Sequence, residues 1–142
     1  MNRPLDTVIK NARVVRPNRT SVDLLDVGIK DGKFARLAPD IRAEEANEAV
    51  DGRNLLAFPG CVDAHMHVGI YQPHAQDAVT ESKAAAMGGV TSSLTYTRTG
   101  QYYLNRGGPY RDFMPEVLRL SQGNYWVDYG FHIAPIEAGH ID

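Results

Sequence analysis

From Leu55 to Ala134 the chain alternates strand-like and helix-like stretches, and this alternation limits its fold more than any other feature. Leu55 to His67 has strand character. Asp77 to Met87 is helical in composition, with Ala78, Val79, Ala85 and Ala86 as small apolar contacts and Gly88-Gly89 able to end it. Val90 to Tyr96 is a second strand. Asp112 can cap a second helix with apolar positions Phe113, Val117 and Leu120, flanked by Met114 and Leu118; Pro115 falls in its first turn and Gly123 stops it. Tyr125 to Ala134 is a third strand. The order β-α-β-α-β needs crossover connections, so it predicts a parallel sheet with helices outside.

The third strand says more. Tyr125, Val127, Tyr129, Phe131 and Ile133 share one face; Trp126, Asp128, Gly130 and His132 share the other. A sheet covered by helices on both sides is apolar on both sides. One apolar face backed by a face carrying Asp128 and His132 suits a closed barrel with polar groups in its interior. In the first strand, the same alternation places Asp63, His65 and His67 on one face and Val62, Ala64 and Met66 on the other. The two histidines lie about 7 Å apart along the strand. They sit at its C-terminal end, where eight-fold α/β barrels carry their active sites. Two imidazoles so placed can converge on one ion, half of a zinc-type site. The spacing serves a hydrogen-bonded histidine pair equally well. Asp63 is either a group that supports a ligand from behind or an interior hydrogen-bonding residue.

The first 57 residues read differently, as short strands and turns. Thr7 to Val15 is β-branched and ends near Pro17, and Val27 and Ile29 alternate with polar neighbours. Asp31-Gly32 between two strand-like runs predicts a hairpin, because a type I′ turn needs positive φ at both central residues. Asp40 to Ala49 is either a loop or a helical turn, and Ala49 to Leu56 holds another short strand pair.

Composition narrows the function classes. The 142 residues carry a formal net charge of −2, and the 15 Lys plus Arg are scattered, so no nucleic-acid footprint exists. One cysteine, Cys61, excludes an internal disulfide and fits a reducing compartment; it reads as a small buried residue. MNRPLDTVIK lacks a signal-peptide core, and no run of about 18 apolar residues exists. These features predict a soluble, cytoplasmic chain with neither nucleic-acid nor membrane partners.

DGRNLLAFPGCVDAHMH resembles the opening of the barrel in the metal-dependent amidohydrolase superfamily. DVGIKDGKFARLAPDI resembles the β-sandwich half-domain that precedes that barrel. SKAAAMGGVTSSLTY resembles the first helix and second strand. VDYGFHIAP resembles the third strand of the cyclic-amidohydrolase branch, which holds dihydropyrimidinases, hydantoinases and allantoinases. The resemblance covers nearly the whole chain. It implies an α/β fold: part of a β-sandwich over 1–57, then the first three strands of a (β/α)8 TIM-like barrel over 58–142. It implies that His65 and His67 bind the more buried of two divalent metals, usually zinc. It implies hydrolysis of a cyclic amide C–N bond by a metal-activated water, in a homo-oligomeric enzyme, dimer or tetramer.

Departures from the family pattern matter too. Dihydroorotases place an arginine two residues after the second histidine to hold a carboxylate; allantoinases tend to have asparagine there and hydantoinases aspartate. This chain has Gly69. VGIYQPHAQDA corresponds in position to a loop that shapes the hydantoinase substrate pocket. Within it, Tyr71 and His74 either face substrate or are exposed loop residues. His132 is either a pocket residue or an interior histidine bonded to its neighbours. Arg98, Tyr102, Tyr103 and Arg106 flank the loop after strand two, as substrate contacts or as a solvated or subunit-facing loop. His140 receives no role.

A barrel of this kind takes about 250 residues, and about 85 follow residue 57. In the family a carbamylated lysine on the fourth strand bridges the metals. Two further histidines follow on the fifth and sixth, and an aspartate on the eighth is the general base. None can be placed here, and Lys83 lies in the first helix. The expectation is therefore an N-terminal portion whose parent enzyme holds the general base and bridging lysine elsewhere, and which is inactive alone. Other readings stay open: another amidohydrolase reaction (allantoinase, dihydroorotase or deaminase type), a non-catalytic relative, or a self-sufficient α/β binding module.

Overall fold

Asp31 and Gly32 both adopt positive φ, 50° and 70°, so the backbone reverses in the sense that matches the twist of paired strands. In this computed structural model, which describes residues 3–17, 20–98 and 108–141, that turn joins β2 (Val22–Lys30) to β3 (Lys33–Ala38). The chain forms two compact units, Met1–Pro59 and Gly60–Asp142.

The first unit is a five-stranded sheet built around β1 (Leu5–Val15). β2 lies antiparallel to β1; β4 (Ala46–Asp51) and β5 (Leu56–Ala57) lie parallel to it. The expected strand pair at 49–56 is thus two strands that each pair with β1. Asp40 to Ala49, open from sequence, holds a 3-10 turn at Ala43–Glu45. Leu5, Val8, Ile41 and Ala46 make one buried cluster; Ala12, Val14 and Val27 make a second. Between them β1 bulges, with Lys10 and Asn11 opposed by Asp26 alone. Asn11 takes a φ of 59° there, and its amide donates to Asp26.

The second unit is the parallel sheet that the alternation predicts, in the order β6-β7-β8. Its strands are β6 (Cys61–Met66), β7 (Val90–Arg98) and β8 (Asp128–Ala134), with α1 (His74–Met87) and α2 (Tyr110–Ser121) as crossovers. Met66, Val68 and Ala78 bury the contact between β6 and α1. Tyr110, Phe113 and Val117 bury the inner face of α2, with Phe131 against them. The side of β7 that faces the helices is a row of hydroxyls, Ser93, Thr95 and Thr97, all buried.

Several sequence boundaries shift. The single strand expected over Leu55 to His67 is two: β5 belongs to the first sheet and β6 to the second, separated at Pro59, which has no amide to offer a ladder. His67 falls one residue beyond β6. Helix α1 begins at His74, three residues before Asp77, because Pro73 caps it in an extended conformation. Pro109 does the same for α2, so Asp112 is not its cap. Pro115 lies inside α2, not in its first turn. It lacks the amide that would otherwise donate to Arg111 O. β8 starts at Asp128, not Tyr125. Cys61 is exposed at the start of β6, against the expectation of a buried residue.

Tyr110 ties the C-terminal ends of two strands to α2. Its hydroxyl donates to Thr97 O at 2.9 Å and accepts from the Ala134 amide at 2.9 Å. Tyr110→Phe leaves both backbone groups without this partner and is expected to cost about 2 kcal/mol. A urea melt of the purified variant measures it; a change below about 0.5 kcal/mol would show that water replaces the hydroxyl.

Candidate metal centre

His65 and His67 meet at their ring tips. Their Nε2 atoms lie 3.2 Å apart, with ring centroids 5.0 Å apart and planes at 68°. Two histidines bound to one tetrahedral zinc at 2.0–2.1 Å place their nitrogens about 3.3 Å apart. The side chains therefore stand with two ligand atoms on one edge of such a tetrahedron. Both residues are exposed, at the mouth of the β6 end. Without an ion one Nε2 must donate to the other; with one, both lone pairs can face it. Among the described residues no group of three or more His, Cys, Asp or Glu side chains could hold a metal. The chain thus offers a ligand pair rather than a complete set.

Tyr96 on β7 braces the pair. Its ring stacks on His65 at 5.1 Å and meets His67 edge-on at 5.5 Å. On β8, His132 pairs in register with Tyr96, and its Nε2 donates to Ala64 O at 3.0 Å. One sheet face therefore carries His65, His67, Tyr96 and His132. Tyr96 went unnoticed in the sequence; its signal is register, since it occupies the alternate position opposite His132.

The other expected site residues separate from this face. Asp63 does not share the face of His65. β6 bulges between Asp63 and Met66, so Asp63 pairs with Ser93 and Met66 with Thr95, both on the helix side. The Asp63 carboxylate instead accepts the His65 amide at 3.0 Å. It lines a cleft of about 580 Å³ together with Met66, His67, Tyr71, Asp77 and Glu81. Tyr71 is 88% exposed. His74 is neither a loop residue nor exposed. It opens α1, is 3% exposed, and its Nε2 lies 2.8 Å from Ser121 Oγ. Ser121 spends its proton on Val117 O, so His74 Nε2 donates to Ser121 and Nδ1 is a bare buried acceptor. Burial pushes the His74 imidazole below its usual range, against the pull of Asp77, and keeps it neutral. His140, given no role, is buried and accepts the amides of Ile136 and Glu137. Tyr102, Tyr103 and Arg106 lie outside the described residues, as does the side chain of Arg98.

Comparison with known proteins follows the same line. No family model matches the chain. A D-hydantoinase from Rhizobium radiobacter is 29% identical over 136 residues, 94% of this chain and 28% of that protein. A dihydroorotase from Streptococcus pneumoniae is 38% identical over 93 residues, 65% of this chain and 22% of that protein. The solved L-hydantoinase (dihydropyrimidinase) of Arthrobacter aurescens superposes with a TM-score of 0.77 at 22% identity, over 95% of this chain and 29% of that one. These relatives support the cyclic-amidohydrolase branch of the amidohydrolase superfamily. The chain matches their N-terminal portion and spans less than a third of the length of these relatives. A solved D-aminoacylase of like fold, TM-score 0.67 at 18% identity over 92% of this chain and 30% of that one, has a binuclear metal centre. In this chain, the histidine pair, Tyr96 and His132 lie toward the C-terminal ends of the three parallel strands. No described helix is long and apolar enough to cross a membrane.

Proposed function

We propose that the full-length protein is a metal-dependent cyclic amidohydrolase that opens a dihydropyrimidine, hydantoin or related ring. The observation that carries this reading is the 3.2 Å approach of His65 Nε2 and His67 Nε2, which suits one divalent ion, with zinc favoured by the nitrogen donors. Such an ion supplies a water of lowered pKa and polarises the ring carbonyl. The chain's own residues hold and orient: His65 and His67 as ligands, Tyr96 as a wall against their rings, Asp63 through the His65 amide. His132 and Tyr71 are the candidate substrate contacts. The remaining ligands, a second metal and the general base belong to sequence outside this portion. In this reading the first unit is part of a β-sandwich and the second is the first three strands of a (β/α)8 barrel. The protein is cytoplasmic and homo-oligomeric.

Gly69 separates the candidate reactions. Its φ of 83° disfavours any side chain, and a Cβ there would lie 2.8 Å from His74 Nδ1. The position cannot carry the arginine that holds the carboxylate in dihydroorotases. The full-length, zinc-loaded protein is expected to open dihydrouracil or a hydantoin at least about tenfold faster than dihydroorotate, a loss of one charge-assisted bidentate contact. The 142-residue chain alone is expected to open none of them. A preference for dihydroorotate, or zinc-dependent turnover by the short chain, would overturn this assignment.

A further inference from the structure

The turn that follows His67 is held from the helix layer. Val68 is fully buried against Ala78, and Gly69 has a φ of 83°. The Gly69 amide donates to Asp77 Oδ2 at 2.7 Å, a buried bond to a carboxylate that is itself 7% exposed. Beneath it, His74 packs so closely on Gly69 that no Cβ fits. His74 in turn is bonded to Ser121 at the end of α2. So β6 ends, His67 is presented, and two residues later the backbone is pinned to the first turns of α1.

We propose that Asp77 is a positioning residue for the metal site: its carboxylate, by holding the Gly69 amide, fixes the turn that aims His67 at the ion. The inference rests on the reading of His65 and His67 as ligands. Three features support it. The bond is charge-assisted and shielded from water, where such bonds are strongest. It lies two residues from the ligand, close enough for a backbone shift to move the imidazole. And Asp77 touches neither His65 nor His67 through any hydrogen bond of its own, so its influence passes through the backbone. Removing an outer partner that orients a ligand typically costs about 10- to 100-fold in metal affinity.

The test is a cobalt titration of the metal-free full-length protein, read by the visible absorption of the bound ion. Asp77→Ala is expected to weaken cobalt binding at least about tenfold. Asp77→Asn keeps an acceptor for the Gly69 amide and is expected to restore most of that loss. Asp112→Ala removes an exposed acid from α2, away from this cleft, and controls for charge; it is expected to bind as wild type. Gly69→Ala strains the same turn and is expected to match Asp77→Ala, which keeps the test open if Asp77→Ala does not fold. Wild-type cobalt affinity in folded Asp77→Ala or in Gly69→Ala would overturn the proposal, and so would an Asp112→Ala loss equal to theirs. His65→Ala distinguishes the two levels of inference. If His65→Ala binds cobalt as wild type, the ligand assignment itself fails; if it loses cobalt while Asp77→Ala does not, only the positioning role fails.

Discussion

His65→Ala in the full-length protein is expected to lose most of its bound metal and at least about 10³-fold in turnover, because a metal-dependent site that loses a ligand loses both the ion and the water it activates. The geometry explains why the effect is severe. His65 is held at two points: its ring stacks on Tyr96, and its amide donates to Asp63. Its loss leaves His67 as one imidazole at an exposed strand end, and a single neutral nitrogen holds a divalent ion poorly in water. Metal analysis after dialysis, with circular dichroism to confirm folding, measures the first effect. A dihydrouracil or hydantoin assay measures the second. Folded His65→Ala protein with full metal content and normal turnover would sink the ligand assignment. Full metal content with no turnover would instead make His65 a substrate contact.

Much of this site is readable in the residues H-x-H. Alternation in an extended strand puts two imidazoles on one side, and the C-terminal end of a parallel strand is where such sites lie. What alternation cannot show is the bulge. Between Asp63 and Met66 one extra residue enters β6, and the period of two fails locally. Asp63 therefore leaves the histidine face, while its carboxylate still reaches back to the His65 amide. Tyr96 was hidden for a related reason. Its strand was legible, but its place beside the histidines depends on the register between β6 and β7, which is set by pairs distant in sequence.

The same distinction explains the fold. The crossover order and the Asp31-Gly32 turn come from local chemistry and appear where expected. The misplaced helix starts involve proline. Pro73 and Pro109 start helices from outside them, with extended ψ values of 135° and 140°, so Asp77, read as the helix start, and Asp112, read as a cap, lie within the first turns. His74 illustrates the limit of composition. A histidine beside a proline in a polar stretch reads as loop, yet here it is buried because Ser121, 47 residues on, supplies its partner.

The first unit carries its own polar knot, and Asp26→Ala is expected to destabilise it by about 3 kcal/mol. Asp26 is 1% exposed and sits opposite the β1 bulge. Its carboxylate accepts from the Asn11 amide at 2.7 Å, from the Ile41 amide at 2.8 Å, and from Lys10 Nζ. Lys10 also donates to Asp40 and to Ile41 O. The bulge leaves the Asn11 amide without a strand partner, the segment after β3 leaves the Ile41 amide, and one carboxylate satisfies both. Alanine would strand both, at a cost of about 1–3 kcal/mol for each buried group. The pH dependence follows from opposing effects on the acid. Burial pushes the Asp26 carboxyl up, but Lys10 and the two amides together hold it below its usual range. A depressed carboxyl stabilises the fold above its unfolded value, and that stabilisation is lost as pH falls through the folded value. The Lys10 ammonium is raised by Asp26 and then Asp40, so its share persists below its unfolded value and is lost as pH rises through the folded one. The stability difference between wild type and Asp26→Ala should therefore be flat from about pH 5 to pH 10 and shrink below about pH 4. Urea melts across that range measure it. A difference that stays constant down to about pH 2 would mean that shape at the bulge, not the charged carboxylate, holds these strands together.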